Sequence, residues 1–363
     1  MLVYPHPLDY ATGIKYSVVD KSLGVEYTVS PDSFIVEEIV DFEKTGFNNE
    51  KGEYAVLRVL KVNTETFKAL ELVSSKLGIP VGNIIFFGIK DKNATTKSYF
   101  FIKSQLLDPS LLPIETRGVK IELVGFTKKK PSRSIFQGNK FTVIIETGRV
   151  EVVKTLREII DTISTTGIPS YYGYQRFGVK RCNSHLLGKL LLLKREDLFA
   201  DVLLRTIHLL EDPDVSLRRV LGVYRGLIYE EHYISSKLGM GMTSLAKKTH
   251  NILVDAYASY LFNLLLNKII EISGLNGLAT SLPMPGCLNA TDYYSDIFYL
   301  ESLKPSVIKL LPCFHRPGLF KPRNNVVYTR GDSIIYEFEL EPGMYASIVL
   351  RELFKDKLYF EGK

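Results

Sequence analysis

The spacing of apolar residues changes along this chain, and that change most limits what it can fold into. Glu53–Leu60 (EYAVLRVL) alternates in part, as a strand with one buried face does. Phe67, Leu70, Val73 and Leu77 then recur at helical spacing, with Asn63 and Thr64 as N-cap candidates and Gly78 and Pro80 as stop signals. Ile84–Phe87 and Tyr99–Ile102 read as strands, with the polar stretch Gly88–Ser98 as a loop between them. Phe141–Ile145 is a further strand, and Val153, Leu156, Ile160 and Ile163 mark a helix that ends before Gly167 and Pro169. From there helical patterns dominate, most clearly over Leu253–Ile270, until Ile334–Leu340 (IIYEFEL) returns to strict alternation. Strand-rich ends around a helix-rich middle predict an α+β chain. One domain, built from both termini, is interrupted by a second.

Composition narrows the partner more than the fold. At 363 residues there is room for two domains, and 46 Lys+Arg against 40 Asp+Glu leaves +6. That surplus is compatible with an anionic partner without demonstrating one. Cys182, Cys287 and Cys313 are odd in number and far apart, and neither they nor the six histidines cluster. The pattern suggests neither a disulfide nor a zinc site. There is no secretory signal and no apolar run of bilayer length, so a soluble, intracellular chain is expected.

Three segments have unusual chemistry. In Gly88–Ser98 (GIKDKNATTKS), Asp91 stands between Lys90 and Lys92, where neighbouring ammonium groups favour an ionised carboxylate. Alone, such a stretch is also an ordinary charged turn. Gly167–Gly178 (GIPSYYGYQRFG) sets Tyr171, Tyr172, Tyr174, Gln175, Arg176 and Phe177 between glycines. That grouping suits stacking on bases and contact with phosphates, or equally a buried aromatic hinge. Pro342–Phe354 (PGMYASIVLRELF) brings Arg351 and Glu352 into an apolar helix, as a surface pair or a buried one. The basic run Lys128–Arg133 reads as a solvated loop or a phosphate contact.

Together with shorter stretches, these segments follow one family in order and spacing. They are PDSFIVEE (31–38), KVNT (61–64), the GIKDKNATT loop, GNKF (138–141), YYGYQRFG, DAYASYLFN (255–263), PMPG (283–286) and EPGMYASIVLREL. On these motifs the chain resembles the TruD pseudouridine synthases, of the archaeal type. The resemblance implies a pseudouridine synthase catalytic domain with a mixed, mainly antiparallel sheet, and an inserted α/β TRUD domain. Combined with the change of texture, it puts the first catalytic segment at 1–168, the insertion at 169–316 and the final catalytic segment at 317–363.

The resemblance also implies roles. Asp91 becomes the catalytic carboxylate, with Lys90 and Thr96 beside it. Asn139 and Phe141 belong to the substrate site, the Phe ring stacking on the target uracil. Gln175, Arg176, Phe177 and Arg351 are the further substrate-binding candidates. Three positions depart from the family pattern: Thr28, where a basic residue commonly lies, Ser98 in place of Gln, and Ser170 in place of Asn. The basic role would then pass to another residue such as Lys90 or Arg351. The implied reaction rejoins a uracil to its ribose through C5 without redox change or loss of a group, so no cofactor and no metal are expected. The implied substrate is tRNA, at uridine 13 or at uridine 35 of tRNA(Tyr) precursors. A cytoplasmic monomer with no membrane partner is expected. Two readings compete: a non-catalytic RNA-binding protein on this scaffold, which the intact Asp91 disfavours, and a methyltransferase, which the lack of a glycine-rich loop after a strand disfavours.

Overall fold

The structure, a computed structural model, describes residues 1–88, 90, 93–179, 181–195, 198, 199, 202, 203 and 241–360, without the side chains of 241–251. The chain divides into two compact units. One comprises 21–164, 321–344 and 357–363, and the other 1–20, 165–320 and 345–356.

The first unit is built on a sheet of nine strands among the described residues. In chain order they are β1 (Phe34–Val40), β2 (Tyr54–Val62), β3 (Ile84–Phe86), β4 (Thr95–Lys103), β5 (Ile114–Thr116), β6 (Val119–Thr127), β7 (Phe136–Ile145), β8 (Arg323–Arg330) and β9 (Ser333–Leu340). Their spatial order is β8-β9-β7-β1-β4-β2-β6-β5, with β3 also beside β4. The β1–β4 pair is parallel and the other described neighbours are antiparallel, which makes the sheet mixed and mainly antiparallel. Helix Thr66–Leu77 lays Ala69, Leu70, Val73 and Leu77 against Ala55, Leu57 and Val59 of β2 and Phe100 and Ile102 of β4. Its N-cap is Glu65, two residues beyond the expected Asn63 and one beyond Thr64, because Asn63 takes a left-handed φ of 49° that no helix start accepts.

Gly138, of the GNKF segment, is where β7 shifts register against β1. Its φ of 134° is a glycine conformation, and a Cβ there would collide with the carbonyl of Leu340. The bulge thereby sets which face of β7 receives Asn139 and Phe141.

The second unit is helical, around Gly241–Ser273, Ser184–Leu192 and Ala346–Phe354. Gly188 lets helix Ser184–Leu192 come against the carbonyl of Leu253, where a Cβ would not fit. Asn263 ties three segments together. Its Nδ2 donates to the carbonyls of Thr12 (2.9 Å) and Tyr172 (3.2 Å), and its Oδ1 accepts from the Tyr172 amide (2.8 Å).

The grouping of the termini differs from the expected boundaries. Residues 1–20 and 345–356 were expected with the sheet, yet they pack in the helical unit. A buried ionic cluster ties the two segments to each other, and the Tyr174 hydroxyl, donating to Asp9 Oδ1 at 2.6 Å, ties them to the helical unit. Arg351 donates from Nε to Asp9 Oδ1 (2.8 Å) and pairs with Glu352 (3.2 Å); Glu352 also accepts from Ser17 Oγ (2.6 Å) and pairs with Lys355 (3.2 Å). Buried charges must be compensated locally, so the segments that carry them fold together.

The cysteine reading also needs correction: Cys287 and Cys313 form a disulfide. Met284 N donates to Phe314 O (2.9 Å) and Gly286 N to Pro312 O (3.2 Å), which brings the two cysteines face to face across an antiparallel pairing. Cys182 is buried, and burial pushes its thiol up to about 12. No helix among the described residues is long and apolar enough to cross a membrane.

Candidate active site

Directly opposed residues of neighbouring strands share a face, so the register defines a row across five strands. Phe338, Phe141, Val36, Thr96 and Lys61 stand in line on β9, β7, β1, β4 and β2. The adjacent row on the same face holds Leu340, Asn139 and Glu38, with Ser98 and Val59 paired on β4 and β2. This is the face that helix Thr66–Leu77 covers farther along β2. Where the helix starts, the apolar packing gives way to Lys61, Thr96, Ser98, Glu38 and Asn139, all but Asn139 buried.

Lys90 organises this polar patch. Its Nζ pairs with Glu38 Oε1 at 2.9 Å, donates to Asn139 Oδ1 at 2.9 Å and lies 4.9 Å from the centre of the Phe136 ring. The other Glu38 oxygen accepts from the Tyr99 amide at 2.9 Å. Burial raises the Glu38 carboxyl above the ordinary glutamate value, against the pull of Lys90, the Tyr99 amide and Lys61. The main chain of Lys90 is held as well, its amide donating to Thr66 Oγ1 at 3.0 Å. Just past the loop, Asn93 Nδ2 donates to the carbonyl of Phe360 at 2.9 Å. Asp91 itself lies outside the described residues. Both flanks of the segment that carries it are fixed: Lys90 on the buried face and Asn93 on the Phe360 carbonyl, just past the short strand Leu358–Tyr359.

Thr96 and Ser98 are unusual. Their hydroxyls are buried, and neither has a hydrogen-bond partner among the described residues. An unsatisfied buried hydroxyl costs about 1–3 kcal/mol, so its presence in this patch marks a place where a further polar group can be received.

The model of the tRNA pseudouridine synthase D (TruD) family matches residues 12–280. The chain belongs to that family. A "Probable tRNA pseudouridine synthase D" of Pyrobaculum islandicum is 28% identical, covering 96% of this chain and 97% of the relative. The protein of the same description from Saccharolobus solfataricus is also 28% identical, covering 97% and 98%. Among solved structures, a TruD crystal structure from Methanosarcina mazei superposes with a TM-score of 0.67 at 20% identity, covering 96% of this chain and 98% of that one. That likeness shows the fold, an α+β pseudouridine synthase fold with a mixed sheet.

Within this TruD chain the expected site residues fall into two groups. Lys90, Thr96, Asn139 and Phe141 share the patch just described. Phe141 is 5% exposed, and its ring lies 5.8 Å from that of Phe34 and 5.2 Å from that of Phe338. It is an aromatic member of the core as well as a lining residue. Gln175, Arg176, Phe177 and Arg351 belong to the helical unit. Gln175 Oε1 accepts from Ser347 Oγ (2.8 Å). Arg176 is half-buried, 5.5 Å from the Tyr172 ring centre, and its buried Nε has no partner among the described residues. Phe177 is fully buried, edge-on to His185. Arg351 is fully buried in the ionic cluster, so its visible role is to hold Asp9 and Glu352.

Other members of both groups escaped the sequence. Glu38 and Lys61 lie inside the PDSFIVEE and KVNT stretches without having been given a role; strand parity is the further signal that turns both inward. Arg316, buried with its guanidinium 4.2 Å from the Tyr172 ring centre and its Nε bonded to Ser170 O (3.0 Å), sits in no segment that suggested it. Thr28 pairs with Tyr359 in a short parallel bridge, and its carbonyl accepts from Ser33 Oγ (2.6 Å).

Proposed function

We propose that this chain is a cytoplasmic, monomeric isomerase that converts one uridine of tRNA to pseudouridine, with Asp91 as its catalytic carboxylate. Uridine 13 is the proposed position, and uridine 35 of tRNA(Tyr) precursors the second. One observation carries the reading: the residue that precedes Asp91 is anchored through side chain and main chain on a buried polar face, inside motifs that follow the family in order. A group on which chemistry depends must be held on rigid elements, and Lys90, bound to β1, β7 and a helix start, meets that requirement.

In the reaction the C1′–N1 bond breaks, C1′ bonds to C5, the C5 proton goes to solvent and N1 gains a proton. Ionised Asp91 serves by attack on the sugar or base, or by removing the C2′ proton. Lys90 and Lys61 supply the positive charge that Thr28 does not, and the buried surroundings make that charge more effective than in water. The orphan hydroxyls of Thr96 and Ser98 offer hydrogen bonds to the loop or to a uracil edge. Phe141, whose ring lies between those of Phe34 and Phe338, is the proposed aromatic partner of the uracil. Arg176 and the run Lys128–Arg133 are proposed phosphate contacts, so RNA affinity falls steeply as salt rises.

The test uses unmodified tRNA with tritium at uracil C5. The proposal expects tritium release, with the new pseudouridine mapping to position 13. Tight tRNA binding without release from any tRNA would instead identify an RNA-binding protein on a TruD scaffold.

A further inference from the structure

The hydroxyl of Thr66 has a fuller set of partners than a surface threonine needs. A hydroxyl offers one donor and two acceptor positions. Thr66 Oγ1 accepts from the Lys90 amide at 3.0 Å and from Lys61 Nζ at 3.2 Å, and its own proton points to the Lys90 carbonyl at 3.5 Å. All three positions are used, and two of them grip the same residue by both of its peptide groups. Thr66 is 2% exposed and Lys61 fully buried, so water does not compete for these bonds. Lys61 Nζ also donates to the Thr64 carbonyl at 3.2 Å, which ties the end of β2 to the turn before the helix.

The elements that carry this clamp are rigid. Thr66 is the first residue of a twelve-residue helix, and its β-branched side chain has a stiff χ1. Lys61 stands in the five-strand row opposite Thr96. Lys90 in turn is fixed at its far end by Glu38 and Asn139. Lys90 is thus held through its N–H, its C=O and its side chain.

We infer that Thr66, braced by Lys61, is a positioning residue for the proposed isomerisation: it locks the main chain of Lys90, to whose carbonyl carbon Asp91 is bonded. This rests on the reading of Asp91 given above. Neither residue needs to touch the RNA. Their effect falls on the geometry of the reacting group, where misplacement by about 1 Å can cost on the order of 100-fold in rate. It therefore appears in kcat and spares binding.

The experiment compares wild type with Thr66→Val, Thr66→Ala and Thr66→Ser in the tritium-release assay, with tRNA affinity and thermal unfolding midpoint measured alongside. Val keeps the shape and removes the hydroxyl, Ala removes it without placing a methyl against Lys61, and Ser restores it. The expected result is a fall in kcat on the order of 100-fold for Val and Ala. KM and tRNA affinity stay unchanged, and Ser returns most of the activity. If Val does not fold, Ala against Ser decides. Wild-type kcat in a folded Val or Ala variant overturns the inference, and so does a Ser variant as impaired as Ala. A wild type that releases no tritium would sink the isomerase reading and this inference with it; an active wild type beside an equally active Thr66→Val sinks this inference alone.

Discussion

Glu37 and Glu38 are neighbours in β1, and each pairs with a lysine, Lys97 at 2.8 Å and Lys90 at 2.9 Å. They point to opposite faces of one sheet and live in different chemistry. On the Glu37 face the register lines up Arg323, Glu339, Lys140, Glu37, Lys97, Leu60 and Lys120, nearly alternating in sign and open to solvent. Each charge there has water as an alternative partner. On the Glu38 face the charged groups are buried, two lysines face one carboxylate, and two hydroxyls have no partner among the described residues. Similar pairs with similar distances thus say little by themselves. Burial and what remains unsatisfied separate a solvated ladder from a site poised for a further group.

The sharpest way to break this contrast is to delete one carboxylate from each face. Glu38→Ala leaves Lys90 buried without its counter-charge and should cost about 3–5 kcal/mol of stability, read by urea unfolding of the folded variant. A loss under about 1 kcal/mol would put Glu38 in the same class as its neighbour. Thr96→Val sharpens the contrast from the other side. Removing a buried hydroxyl with no partner among the described residues should leave stability unchanged or raise it by about 1 kcal/mol, while tritium release falls. A destabilised Thr96→Val would mean the hydroxyl is satisfied after all.

The buried face should also respond to pH. Burial raises the Glu38 carboxyl above 4.5, so the folded state holds that proton at pH values where the unfolded chain has lost it. Its contribution is full below 4.5 and is lost as pH rises through the folded-state value. Plotted against pH, the stability of wild type minus that of Glu38→Gln should decline above 4.5. A curve that rises above 4.5 would reverse the assigned direction. The smallest effect is that of Glu37→Ala itself, within about 1 kcal/mol and shrinking further in high salt.

Much of the sheet was legible because alternation survives wherever one face is apolar. Ile334, Tyr336, Phe338 and Leu340 announce β9, and the motif order brought Lys90, Thr96, Asn139 and Phe141 to one place. What escaped depends on partners distant in sequence. Lys61 and Glu38 read as ordinary polar residues until the register shows them facing inward. Residues 1–20 and 345–356 were assigned to the sheet because nothing local reveals that Asp9 neutralises Arg351, 342 positions away. The Cys287–Cys313 bond, 26 residues apart, needed the antiparallel pairing around it.

The central claim is that the buried face of the sheet serves a catalytic carboxylate at position 91. Its most direct test is tritium release from C5-labelled tRNA by wild type and by Asp91→Ala, with Lys97→Gln as the control from the solvent face. The account predicts release by wild type and Lys97→Gln at similar rates, and a fall of at least about 100-fold for Asp91→Ala with tRNA binding retained. Equal release by wild type and Asp91→Ala would contradict it.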